Sequence, residues 1–157
     1  MWSKDTGRSR ERPPAQAEDD NIAFVVDASA LLAYLLGEPG GEVLERVFRQ
    51  CLDCGSKVTV SAHELLTVYS EVVKKDPAAL EDIITLLHQL PLEVAALTHE
   101  CAVETARVLA VRPEFQPNQA VTAHLSAITG ATLLTCDGVF ETGEKTLNIA
   151  KKGPPQR

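Results

Sequence analysis

Residues 24–41 read FVVDASALLAYLLGEPGG, and the order apolar run, acid, helix former, breaker already implies an architecture. The run from Ile22 to Val26 is β-rich and lacks alternation, which predicts a strand covered on both faces. Ser29 to Leu36 predicts a helix, ended by Gly37 and Pro39. Between them stands Asp27. A carboxylate at the end of a covered strand is costly unless it is hydrogen-bonded, paired or bound to a metal.

Beyond this stretch, strand-like and helix-like segments keep alternating. Glu42–Leu52 places Val43, Leu44, Val47 and Phe48 on one helical stripe. Lys57–Val60 is a second strand, and Ala62–Lys75 a helix with Ser61 as its cap. Asp76 and Pro77 restart the chain as cap and first helical residue for Ala78–Leu90. Leu92–Ala95 is a weak strand, and Thr98 caps a helix to about Val111. After a loop, Asn118 is expected to cap Gln119–Thr129. Thr132–Thr135 and Thr146–Ile149 complete the strands. This alternation predicts a three-layer α/β/α domain over residues 22–150, with a parallel sheet of four or five strands. Residues 1–21 and 151–157 are polar and without periodicity, and read as a disordered extension and a flexible tail.

Composition narrows the function. Net charge is −7, so the chain has no overall attraction for phosphate backbones. Aromatic content is 4%, too little for a base-stacking platform. No apolar run is long enough to span a membrane, and no leader pattern is present, so the expected location is the cytoplasm. Cys51 and Cys54 form CLDC at the end of a helix, without the second pair that a zinc site needs. Surface or structural roles are expected for His63, His88, His99 and His124, which lie on separate helices.

Ligand sites of such sheets lie beyond the carboxyl ends of the strands. Asp27 ends the first strand and Asp137 follows ATLLTC, so the two acids are candidates to meet. Three α/β chemistries with acids at strand ends fail here. A haloacid-dehalogenase-type phosphatase needs a carboxylate where Ser29 stands. A response-regulator receiver needs an acidic pair after the first strand and an Asp after the middle strand LEVAAL. A dinucleotide fold needs a glycine-rich turn where DASALL stands.

The sequence resembles the PIN-domain family, in its VapC-like toxin branch. VVDASALLAYLLGEPGGE, SAHELLTVYSEVVKK, LTHECAVETARVLA and TGATLLTCDGVF carry the likeness, which spans Phe24 to Phe140. The resemblance implies four acids holding Mg²⁺ or Mn²⁺ for metal-dependent cleavage of RNA. Asp27 and Asp137 match the first and fourth positions as catalytic and metal-ligating residues, with Ser29 and Thr135 beside them as supporting partners. Counting from Ser61 puts Thr67 at the second acidic position. Counting eighteen residues back from Asp137 puts Gln119 at the third. Neither substitute carries charge. Glu64 or Glu71, one turn to either side of Thr67, is a candidate replacement, although both also read as solvent-facing; Glu114 is a weaker one.

The reading is therefore a VapC-like protein of endoribonuclease ancestry with a degraded metal site, weakly active or non-catalytic. Alternatives are an active Mg²⁺- or Mn²⁺-dependent endoribonuclease of a toxin–antitoxin pair, and an unrelated α/β protein-binding domain. The resemblance also implies an antitoxin partner and a homodimer.

Overall fold

A computed structural model describes residues 23–140 and 145–150 of the chain. The expected extension over 1–21, Ile22 and the tail over 151–157 lie outside the described residues. Five strands, β1 (Phe24–Val26), β2 (Val58–Ser61), β3 (Leu92–Ala95), β4 (Thr132–Thr135) and β5 (Thr146–Asn148), form one parallel sheet in the order β3-β2-β1-β4-β5. Phe24 pairs with Val58 on one side and with Thr132 on the other, so β1 is central.

Two helices, α1 (Ala28–Leu36) and α2 (Gly41–Cys54), link β1 to β2. From β2 the chain runs through α3 (Ala62–Lys75), a 3₁₀ turn at Pro77–Ala79 and α4 (Leu80–Gln89) to β3. It returns through α5 (His99–Val111) and α6 (Pro117–Thr129) to β4, on the opposite side of β1. Right-handed crossovers place the outgoing helices on one face and the returning helices on the other. The core confirms this. Val26 and Leu134 pack with Leu31, Leu44, Phe48 and Val68, whereas Val25 and Leu133 pack with Phe115, Val121, Leu125 and Phe140. Adjacent strand residues thus serve opposite faces, as the two-residue period requires.

Three sequence expectations need correction. The helix after the 112–116 loop starts at Pro117, with Gln116 at the cap position, not at Gln119 with Asn118 as cap. Proline's fixed φ suits the first helical position, and its missing N–H costs nothing there. Asp76 does cap the next segment, but through the single 3₁₀ turn, so α4 begins at Leu80 rather than Ala78. The second strand is Val58–Ser61, so Ser61 closes β2 and caps α3 at once.

Sheet order reverses between β1 and β4, where one crossover leaves for β2 and the other arrives at β4. This is the switch point at which such sheets open a crevice. Asp27, Ser61 and Thr135 all stand at the strand ends lining it.

Candidate functional site

Asp27 caps α1: its side chain accepts from the Ala30 amide at 2.9 Å. Ser29 donates to Oδ1 at 2.7 Å and Thr135 donates to Oδ2 at 2.5 Å. Ser29 Oγ in turn accepts from the Cys136 amide at 2.8 Å and Thr135 Oγ1 from the Asp137 amide at 2.8 Å, which leaves both hydroxyl protons to donate to Asp27. Asp27 is 3% exposed. Burial pushes its carboxyl up to about 6, while the hydrogen bonds from Thr135, Ala30 and Ser29 pull it back and the Glu64 charge adds to the push. Burial, with the Asp27 charge as the next cause, also raises the Cys136 thiol to about 11, far from a reactive thiolate.

Glu64 is the second acid of this edge. Its expected solvent-facing position is overturned, because the residue is 1% exposed. As the third residue of α3 it points inward, and Oε2 accepts from the Ala28 amide at 3.0 Å and from Asn118 Nδ2 at 3.2 Å. Thr122 donates to Oε1 at 2.6 Å. Sequence reasoning missed Asn118 and Thr122. Thr122 carries no readable signal, and Asn118 reads as a helix cap, the position that Gln116 occupies.

The other predicted positions separate. Thr67 turns back on its own helix and donates to the His63 carbonyl at 3.2 Å. Glu71 is ion-paired with Lys74 at 2.8 Å on the outer part of α3, and Lys74 holds its carboxyl below the usual range. Glu114 pairs with Arg112 in the loop before α6. Cys51 is in the core, while Cys54 is exposed beside Ser56. His63 Nδ1 is the one buried side-chain nitrogen or oxygen, among the described residues, without a hydrogen-bond partner.

Gln119 and Asp137 do meet. Gln119 Oε1 accepts from the Gln116 amide at 2.7 Å, which fixes the amide's orientation and turns Nε2 toward Asp137. Nε2 donates to Asp137 Oδ2 at 2.7 Å, and the Val139 amide donates to Oδ1 at 3.0 Å. Thr135 links the two ends of the cluster, touching both the Asp27 carboxylate and the Asp137 backbone.

A family model described as the PIN domain matches residues 24–145. The chain belongs to the PIN domain family. Solved structures share its fold at low identity. VapBC2 from Rickettsia felis, bound to a DNA fragment from its promoter, has 13% identity and a TM-score of 0.62, covering 80% of this chain and 96% of the other. A toxin–antitoxin complex from Klebsiella pneumoniae has 11% identity and a TM-score of 0.61, with coverage of 80% and 96%. PAE2754 from Pyrobaculum aerophilum has 16% identity and a TM-score of 0.60, with coverage of 80% and 88%. No curated protein matches the chain in sequence. Family membership removes the alternative of an unrelated α/β domain.

Resemblance to this family implies a divalent ion among the acids, and the side chains do not fit one well. A hard cation needs about six oxygens, with several anionic ones free to face it. Here every carboxylate oxygen of Asp27, Glu64 and Asp137 accepts from a donor of this chain, and Asp27 Oδ1 and Glu64 Oε2 accept from two donors each, which uses both of their lone pairs. At Gln119 an amide N–H points at Asp137, where a carboxylate would present an oxygen. Among the described residues, no three His, Cys, Asp or Glu side chains converge to hold one ion.

Proposed function

We propose that this PIN-domain protein acts by binding rather than by metal-dependent RNA cleavage, its acidic site having been converted into an internal hydrogen-bond network. The observation that carries the reading is the Gln119–Asp137 contact: an oriented amide donor stands at Gln119, the residue that the motif spacing equates with the third acid. It donates to Asp137 and offers a cation an N–H in place of a lone pair. The net charge of −7 further disfavours RNA as the ligand. A protein partner of antitoxin type suits the fold likeness to toxin–antitoxin complexes, and self-association as a homodimer is part of the same proposal.

One observation favours the active alternative. Glu64 stands buried beside Asp27 and supplies a carboxylate that counting from Ser61 had not placed there. In that reading Asp27, Glu64 and Asp137 would hold Mg²⁺ or Mn²⁺. Incubation of purified protein with structured RNA and about 10 mM of either ion, an order of magnitude above weak site affinities of ~10⁻³ M, separates the two. No ion-dependent cleavage above the Asp27→Ala background is expected. Cleavage that requires Mn²⁺ or Mg²⁺ and disappears in Asp27→Ala would establish the nuclease instead.

A further inference from the structure

Glu64 connects three helix starts. Ser61 accepts from the Glu64 amide at 3.0 Å, the first half of a capping box. In the usual second half, the Glu side chain returns to the backbone of its own cap. Here it crosses to Ala28, the first residue of α1, and takes one of the amides that a helix cannot satisfy internally. Its remaining contacts are Asn118 and Thr122 in the first two turns of α6. All three partners donate, so the carboxylate accepts everywhere, and the positive end of α1 faces it.

We propose that Glu64 is the structural joint of the sheet edge, tying the starts of α1 and α6 to α3 without a divalent ion. The inference rests on the closed-site reading above and deepens it by naming what holds the acids in place. A buried carboxylate with three donors is held on every side; exchanging it for an isosteric amide sets a donor against Asn118, Thr122 or Ala28. Each donor group left facing another loses its partner in a buried place.

The test is thermal unfolding of the full chain as wild type, Glu64→Gln, Thr122→Val and Asn118→Ala, each with Mn²⁺ and with EDTA. Glu64→Gln should lower Tm by about 5–10 °C, and Thr122→Val by about 2–6 °C, in either solution. Glu64→Gln combined with Thr122→Val should lose less than the sum of the two. A Glu64→Gln Tm equal to or above wild type, or strict additivity, overturns the joint. If Glu64→Gln does not fold, Thr122→Val and Asn118→Ala carry the test, and unchanged Tm in both overturns it. Stabilisation of wild type by Mn²⁺ separates the two claims. If the Mn²⁺ shift vanishes in Glu64→Gln, Glu64 is a ligand and the joint proposal falls with the closed-site reading. If that shift persists while Glu64→Gln is still destabilised, only the closed-site reading falls.

Discussion

At Asp27 the opposing effects can be ranked. Three donors favour the ionised carboxylate, but removal from water and the neighbouring Glu64 charge outweigh them, so the group titrates near 6 rather than at its ordinary 3.8. The folded chain therefore holds this proton more tightly than the unfolded chain. Its contribution to stability is fully present below about 3.8 and is lost as pH rises through 6. The span corresponds to at most about 3 kcal/mol at ~1.4 kcal/mol per unit. Urea unfolding of wild type and Asp27→Asn between pH 4 and 7 should show a downward slope in wild type that is flattened in the variant. Equal slopes would show that Asp27 is not the group responsible. The residue itself was legible, since an acid ending an unalternating strand has few bland explanations. Its two hydroxyl partners, Ser29 and Thr135, were also within reach, because both flank strand ends in sequence.

Helix starts decide what the site became. The element α3 was readable to the residue, and Glu64 was a candidate there beside Glu71, but its burial was not, because both glutamates also read as solvent-facing. The signal was present in SAHE: a Glu three residues after a capping Ser sits in the first turn, beside the strand end. At α6 the expectation of an Asn118 cap failed although Gln116-Pro117 repeats the cap-and-proline order already recognised at Asp76-Pro77. With the cap at Gln116, Asn118 is free to reach Glu64, a long-range contact that no local pattern encodes. The turn between α1 and α2 was clearer. Gly40 has φ +101°, and a Cβ on Gly41 would lie 2.6 Å from the Ala33 carbonyl oxygen. Gly41→Ala must push α2 away from α1 and should cost about 1–3 kcal/mol in denaturant unfolding. A loss below about 0.5 kcal/mol would mean that the helices have room to separate.

Across the whole molecule, the order β3-β2-β1-β4-β5 puts the crevice between β1 and β4, and three helices begin around it. A parallel sheet with Asp27 and Asp137 at one edge followed from the alternation of elements, whereas the strand order did not. Whether the acids there face a cation or face the protein did not follow, because it depends on which way an amide turns at Gln119 and on two α6 side chains. Among the described residues, no helix is long and apolar enough to cross a membrane. The most direct measurement is calorimetric titration of Mn²⁺ into wild-type protein at neutral pH, with Asp27→Ala as control. The closed site predicts no saturable heat up to millimolar ion, a range in which a site built of several free carboxylates would fill. One saturable Mn²⁺ per chain, lost in Asp27→Ala, would contradict it.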